Sequence, residues 1–156
     1  MQVNLRGEPS SKGFGNAVRS VAGCVLPAAN RVSRGPERSV LWLGPDEWLV
    51  VSARGDGGDL VAEFLALMTG QLVSVLDISA NRTIIELSGE GARDVLSMGC
   101  SLDFHPRALT ADHCAQTLFA NVQVILEQTD NLPIYRIYVR PSFARYLADW
   151  LLKSVE

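Results

Sequence analysis

Short apolar runs separated by turn-forming residues cover most of the chain and predict β-strands. Residues 39–43 and 48–52 are apolar runs on either side of the turn formers at 44–47, which predicts a hairpin. Runs rich in β-branched residues at 72–78 and 82–87 are joined by three small residues and predict a second hairpin. Three further strands are predicted at residues 116–120, 122–128 and 133–139, with a turn at 129–131.

Helical spacing of apolar residues occurs in three segments. In the first, Asp59 is placed to cap a helix that ends near Gly70, and its apolar face consists of Leu60, Phe64, Leu67 and Met68. Residues 89–98 predict a short helix whose inward residues are Ala92, Val95 and Leu96. In the last, Pro141 ends a strand and Ser142 is the predicted cap, and the apolar stripe consists of Phe143, Leu147, Trp150 and Leu151.

Two segments show no apolar period and are predicted to be irregular. Residues 1–18 contain four Gly or Pro residues and predict an N-terminal arm, and residues 27–38 predict a loop. The remaining pattern, seven strands and three helices, predicts one α+β domain at residues 19–156 with a mostly antiparallel sheet.

Composition narrows the functional classes. The 156 residues carry a net charge of −3, and the 14 basic residues are spread along the chain, which argues against a nucleic-acid-binding protein. No apolar run approaches the roughly 20 residues of a membrane-spanning helix, and the N-terminus lacks a signal-peptide pattern. The three cysteines include no Cys-x-x-Cys pair. We therefore expect a cytoplasmic protein with reduced thiols.

A group of potential metal ligands and nucleophiles, here called the Cys/His cluster, lies within 15 residues and consists of Cys100, His105, His113 and Cys114. Zinc sites are normally built from closely spaced chelating pairs, and the only close pair here is adjacent along a predicted strand, where neighbours face opposite ways. The same geometry disfavours a Cys–His catalytic pair. We therefore favour ordinary packing or surface roles for these four residues and assign none of them as a metal ligand or catalytic residue.

Two other motifs have a structural and a functional interpretation. Gly89 and Gly91 open a predicted helix after a strand, but the remainder of a dinucleotide or P-loop signature is missing, so backbone geometry is favoured. Asp77, with Ser79, Asn81 and Arg82, forms a polar group at a predicted turn. A turn-stabilising role for Asp77 is favoured.

The candidate partner interface is formed by arginines and tryptophans. Arg31, Arg34 and Arg38 share the predicted loop and could contact an acidic partner surface, although a solvated loop is the simpler interpretation. Trp42 and Trp48 flank the first hairpin; tryptophans are usually core residues, but an exposed one would indicate an interface.

Several segments together resemble the gamma subunit of heterotetrameric sarcosine oxidase. They are LWLGPDEWLVV at 41–51, the segment at 76–96, GCSLDFHPR at 99–107, HCAQT at 113–117 and SFARYLADWL at 142–151. The resemblance covers about residues 38–152. The central segment is also distantly similar to the folate-binding domain of the glycine-cleavage aminomethyltransferase, through its Asp-x-Ser strand and Gly-x-x-Ala helix.

The resemblance implies an accessory, structural subunit that is not catalytic when isolated. The enzyme of that family oxidatively demethylates sarcosine to glycine, with tetrahydrofolate as one-carbon acceptor and hydrogen peroxide as product. The resemblance also implies that FAD and covalent FMN lie on or beside the beta subunit, that NAD and folate bind the alpha subunit, and that zinc binds the delta subunit. No cofactor is therefore expected on this chain. The expected partners are the alpha, beta and delta subunits, without nucleic acid or membrane.

Two other hypotheses remain open. The chain could be a stand-alone folate-binding or one-carbon transfer domain of the aminomethyltransferase type, although the paired-aspartate segment of that chemistry is not recognisable and the chain is short for the additional domains. It could also be a small metal-binding protein that uses the Cys/His cluster. Co-purification with larger flavin-bearing chains distinguishes the first interpretation from these two.

Overall fold

The computed structural model describes residues 1–53 and 57–155, without the side chains of residues 57–59. The chain divides into two compact units, Met1–Ser79 and Ala80–Glu156. The described part contains four helices and nine strands, and the strands form two antiparallel sheets. This confirms the predicted α+β class, with one helix and two strands more than the sequence pattern indicated. None of the described helices has the length and apolar character needed to cross a membrane.

The first unit is a five-stranded sheet with two helices. The strands lie in the spatial order β2-β3-β4-β1-β5. Without the edge strand β2, the remaining elements follow the split βαββαβ pattern of two-layer α+β folds. The elements in chain order are β1 Gln2–Arg6, α1 Lys12–Ala22, β2 Val32–Arg34, β3 Arg38–Gly44, β4 Glu47–Ser52, α2 Gly57–Leu67 and β5 Ser74–Asp77.

The predicted irregular arm at residues 1–18 is wrong, because it contains β1 and most of α1. β1 lies inside the sheet, hydrogen-bonded to β4 on one side and β5 on the other. Its two inward residues, Val3 and Leu5, are fully buried. Two alternating apolar residues are too few to predict a strand, and the pairing of β1 with strands more than 40 residues away supplies the missing stabilisation.

The helix α1 forms despite two glycines that lower its intrinsic propensity. The Ser11 side chain accepts a hydrogen bond from the backbone N–H of Phe14 and so caps the N-terminus. Phe14 and Val18 are fully buried, and Gly23 ends the helix in the left-handed conformation, at φ 71°. Burial of this face compensates for the weak local signal.

The helix α2 covers the same core with the residues predicted for it, except one. Leu60, Phe64 and Met68 are buried, whereas Leu67 is 52% exposed. The helix includes Asp59, so the predicted cap position lies two residues inside the helix, and the side chain of Asp59 is outside the described residues. The predicted loop at 27–38 is also partly wrong, because it contains β2 and the first residue of β3.

The second unit has a four-stranded sheet in the spatial order β6-β9-β8-β7 and two helices. Its elements in chain order are β6 Thr83–Ser88, α3 Ala92–Gly99, β7 His113–Phe119, β8 Val122–Gln128, β9 Ile134–Val139 and α4 Pro141–Ser154. The strands β8 and β9 and their connecting turn agree with the prediction. The predicted inward residues of α3 are also confirmed, since Ala92, Val95 and Leu96 are buried.

The second predicted hairpin, joining 72–78 to 82–87, is wrong. β5 pairs with β1 in the first sheet, and β6 pairs with β9 in the second. Residues 79 and 80 mark the boundary between the two units. Both strands were recognised correctly, but the short polar connection between them is a link between units and not a hairpin turn.

The last helix, α4, is confirmed, with two corrections. Arg140 occupies the N-cap position and Pro141 the first helical turn, so Ser142 is not the cap. Leu147 and Leu151 are buried, and Trp150 is half-buried against Phe119, with ring centroids 5.0 Å apart at 78°. Phe143 is 46% exposed and lies outside the buried stripe.

Candidate functional site

Arg38 is a structural link within the first unit. Its guanidinium Nη1 donates to the carbonyl of Val21, 2.6 Å away at the end of α1, and forms an ion pair with Glu63 of α2 at 2.8 Å. The Arg38 side chain is 12% exposed. Arg38 is therefore neither a solvated loop residue nor an available contact for an acidic partner, because its charge is already used within its own unit.

Gly35 holds the same loop close to α1. A Cβ atom built at Gly35 would lie 2.0 Å from the carbonyl oxygen of Ala22, so the two backbones approach more closely than any side chain allows. The Gly35 N–H also donates to the carbonyl of Arg38 at 2.8 Å. Arg31 and Arg34 are exposed at the edge of this anchored segment. They stay candidates for a partner contact.

The two tryptophans of the first hairpin differ in exposure. Trp42 and Trp48 are directly opposite each other on β3 and β4. Trp48 is 2% exposed and packs against Phe14, with ring centroids 5.3 Å apart, whereas Trp42 is half-buried. Trp48 is therefore a core residue, the usual role of tryptophan, and the candidate partner interface loses it. Of the pair, only Trp42 keeps accessible area.

The members of the Cys/His cluster are held by separate local interactions. His105 is exposed, and its Nδ1 accepts a hydrogen bond from the backbone of Arg107 at 3.2 Å, while His113 Nδ1 lies 2.8 Å from the Thr110 hydroxyl. Cys100 and Cys114 are 8% and 1% exposed. In the described residues, no group of three or more His, Cys, Asp or Glu side chains is arranged to hold a metal ion.

Asp77 stabilises its turn as predicted. The Ser79 hydroxyl and backbone N–H donate to Asp77 Oδ1 at 2.6 and 2.9 Å. These hydrogen bonds to the charged form hold the pKa of Asp77 below its usual value. Gly89, in the other motif, has φ +116°, a conformation that L-residues rarely adopt. Both motifs therefore have a structural explanation.

Sequence reasoning missed a set of residues that lie in a row across one end of the second sheet. Leu118 pairs with Gln123 across β7 and β8. Val139 is the last paired residue of β9, and it pairs with Val124 of β8 and with Thr83 of β6. One position beyond these three residues lie Arg140, Gln123 and Arg82, which therefore continue the row. We call these four residues the arginine row. They lie on the face opposite to the α3 and α4 core, because Val122, Val124 and Val139 belong to that core.

The arginine row lines an open cleft of about 330 Å³. An adjoining cleft shares Leu118, Gln123 and Arg140 with it and extends to Phe143 on α4. No carboxylate occurs among the described residues that line either cleft. Arginine is always charged at physiological pH, and the N-terminus of α4 adds a partial positive charge next to Arg140. The site is a positive cleft with apolar walls.

The sequence signal for this site is weak. Arg82 and Arg140 are 58 positions apart; Arg82 begins one predicted strand and Arg140 follows another, and only the β6–β9 pairing brings them to neighbouring positions. The hairpin predicted between 72–78 and 82–87 would have placed Arg82 elsewhere.

Comparison with known proteins decides the family. The model of the sarcosine oxidase gamma subunit family matches residues 6–156. The sarcosine oxidase subunit gamma of Corynebacterium sp. (strain P-1) is 38% identical over 99% of this chain and 75% of its own length. The chain belongs to the sarcosine oxidase gamma subunit family. The gamma subunit from Arthrobacter sp. is 36% identical, again over 99% of this chain and 75% of its own length.

Two solved structures agree with the family assignment at different levels. A chain of the heterotetrameric sarcosine oxidase from Corynebacterium sp. U-96, solved with pyrrole 2-carboxylate, has a TM-score of 0.89 and 34% identity. The match covers 98% of this chain and 77% of that chain. The glycine cleavage system aminomethyltransferase T from Bartonella henselae has a TM-score of 0.70 and 16% identity, over 97% of this chain and 42% of that chain. The second likeness confirms the predicted fold relationship and concerns the fold alone.

Proposed function

We propose that this chain is the non-catalytic gamma subunit of a heterotetrameric sarcosine oxidase. The observation that carries the proposal is the match to a chain of such a heterotetramer over 98% of this chain at a TM-score of 0.89. The complex would oxidatively demethylate sarcosine to glycine, with tetrahydrofolate accepting the one-carbon unit and hydrogen peroxide as product. The partners would be alpha, beta and delta subunits, assembled in the cytoplasm.

The residues of this chain support an accessory role. Asp77 and His113 are engaged in local hydrogen bonds, and two of the three cysteines are buried as core residues. Burial also raises the pKa of the third thiol, Cys24, which disfavours its reactive thiolate form. We therefore assign FAD, FMN, NAD, tetrahydrofolate and zinc to the other subunits and none to this chain.

Co-expression with the other three subunits tests the proposal. The tagged chain should purify with flavin-bearing chains in equal amounts, whereas the chain expressed alone should be colourless and should release no peroxide from sarcosine. A flavin absorbance band in the isolated chain would contradict the cofactor assignment. Purification of the chain alone, from cells that contain all four subunits, would contradict the proposal as a whole.

A further inference from the structure

We propose that the outer edge of β6 binds an extended segment of a partner subunit as an added strand, with an apolar side chain in the neighbouring cleft and a basic side chain beside Asp94. The inference rests on the proposed function, because it requires that this chain assemble with other subunits. It deepens that function by naming the contact surface and the chemistry of its partner.

The outer edge of β6 carries backbone groups that point away from its own sheet. β6 is an end strand of that sheet, next to β9. The Thr129 N–H donates to the carbonyl of Ile134, which continues the β8–β9 register and fixes the alternation of hydrogen-bonded pairs along β9. Residues 135, 137 and 139 of β9 then bond to residues 87, 85 and 83 of β6. The N–H and C=O groups of Ile84, Glu86 and Ser88 therefore face outward, and the described residues provide no hydrogen-bond partner for them.

β6 lacks the features that usually protect an edge strand from pairing. Its sequence, TIIELS, contains no Pro and no Lys, and its register with β9 runs without a bulge. Ile84 is 40% exposed, and the one charged side chain, Glu86, forms an ion pair with Arg136 at 3.2 Å. The edge strands of the first sheet are shorter, at three and four residues. A regular, accessible edge of six residues suits an extended backbone, whose own N–H and C=O groups continue the ladder.

A cleft at the Ser88 end of the strand indicates an apolar side chain in the partner segment. The cleft has a volume of about 380 Å³, and its lining includes Leu87, Val95, Met98 and Val155. Met98 and Val155 are 62% and 60% exposed. In an added strand, the residue opposite Leu87 projects to the same face as Leu87, so an apolar side chain at that position reaches the cleft.

The charge beside the cleft indicates a basic residue in the same segment. Asp94 is the one charged residue among the described residues that line the cleft, and Glu90 lies in the turn that follows β6. Both side chains are exposed. A lysine or arginine next to the apolar residue complements these carboxylates, whereas an acidic segment is repelled.

Hydrogen exchange at single amides tests the added strand directly. In the free chain, the N–H groups of Ile84 and Glu86 should exchange quickly, and those of Ile85 and Leu87 should be protected by their bonds to β9. On assembly of the full chain with the other subunits, exchange at 84 and 86 should slow about tenfold or more. Assembly without any change at 84 and 86 would overturn the proposal and leave the proposed function standing.

A pair of variants at one position separates the backbone contact from the side chain. Glu86→Pro removes the outward N–H, and its matched control Glu86→Ala removes the same carboxylate but keeps the N–H. Glu86→Pro should raise the Kd for the remaining subunits about tenfold or more, whereas Glu86→Ala should stay within about threefold of wild type. Equal effects would overturn the added strand. The urea midpoint of each free variant reports on folding, and the exchange of the wild-type amides decides the question if the proline variant does not fold.

Variants of the cleft test the side chains of the partner segment. Met98→Ser and Asp94→Asn should each raise the Kd about threefold or more, and Asp94→Lys should raise it further and remove most of its dependence on salt. Matched controls are Leu132→Ser, 64% exposed, and Asp149→Asn, with a side chain 62% exposed. Both should stay within about twofold of wild type, and cleft variants that behave like these controls would overturn the assignment.

Two further outcomes concern the identity of the occupant. Failure of the wild-type chain to assemble with the other subunits overturns both this inference and the proposed function. A dimer of the free chain in sedimentation, abolished by Glu86→Pro, would identify a second copy as the occupant of the edge and overturn the proposed partner segment.

Discussion

Substitution of Gly99 by alanine tests how tightly the end of α3 packs against two aromatic rings. A Cβ atom built at Gly99 would lie 2.8 Å from Phe119 Cε2 and 2.8 Å from Trp150 Cη2. Ordinary contact begins near 3.4 Å, so each ring would have to retreat by about 0.6 Å, the difference between these two distances. The rings already pack edge to face, with centroids 5.0 Å apart, so neither can move without disturbing the other.

The expected magnitude follows from two opposed effects. Glycine is less favourable than alanine in a helix by up to about 1 kcal/mol, and less than that at the last helical residue. Forcing an extra methyl group into a packed site costs about 1–3 kcal/mol, and disturbing the ring pair adds about 0.5–1.5 kcal/mol. The packing penalty is larger, so Gly99→Ala should lower the free energy of unfolding by about 2 kcal/mol.

Gly15 provides a matched control inside α1. A Cβ atom there would meet nothing within 4 Å, so Gly15→Ala should gain about 0.5–1 kcal/mol from helix propensity alone. Urea unfolding of the two variants, each against wild type, should therefore give midpoints that shift in opposite directions. In thermal unfolding, Gly99→Ala should lower the Tm by roughly 4–8 °C.

The reasoning would be refuted if Gly99→Ala were as stable as wild type, or more stable. The background variant Trp150→Phe gives an independent check, because it removes the indole atom closest to Gly99. In that background the added methyl group should be less destabilising, and an unchanged penalty would show that the indole ring is not its source.

Other predictions concern the helix α4, the Arg38 link, the Asp77 turn and the Cys/His cluster. Trp150→Ala should lower the free energy of unfolding by about 3 kcal/mol, whereas the exposed Phe143→Ala should change it by less than about 0.5 kcal/mol, as measured by urea unfolding. Arg38→Gln should lower it by about 1–2 kcal/mol, and Arg34→Gln by less than about 0.5 kcal/mol; equal effects would contradict the internal role of Arg38. Because the pKa of Asp77 is lowered on folding, its charge stabilises the fold above the ordinary value of 3.8, and this contribution is lost as the pH falls through the folded pKa. The stability gap between wild type and Asp77→Asn should therefore be present at neutral pH and close in acid. Metal analysis of the purified chain should find no stoichiometric zinc, and one tightly held zinc per chain would reverse the interpretation of the cluster.

The elements that the sequence predicted well are those with complete local signals. The first hairpin has two apolar runs around a turn of Gly, Pro and Asp, and α4 has a starting proline followed by apolar residues at helical spacing. The elements that were missed depend on distant partners. β1 contributes only Val3 and Leu5, and α1 contains Gly13 and Gly15, so burial stabilises both elements more than local propensity does.

The candidate site was harder to predict than the fold because a site requires correct pairing as well as correct elements. β6 was recognised as a strand but assigned to the wrong neighbour. The pairing of β6 with β9 determines that Arg82 and Arg140 lie side by side. Conversely, the sequence left both a core and an interface role open for Trp48, and its burial against Phe14 identifies it as a core residue.

The position of β1 also constrains how this chain can contact other subunits. An N-terminal arm could wrap a partner only if its own domain were stable without it, and β1 instead supplies hydrogen bonds to two neighbouring strands and two fully buried side chains. Arg38 is likewise used within the first unit, where it links the end of α1 to Glu63 of α2. The two segments predicted to be irregular, residues 1–18 and 27–38, are therefore largely ordered by their own unit. Contact with a partner must then come from groups that stay accessible on a finished surface and not from segments that fold only when the partner binds.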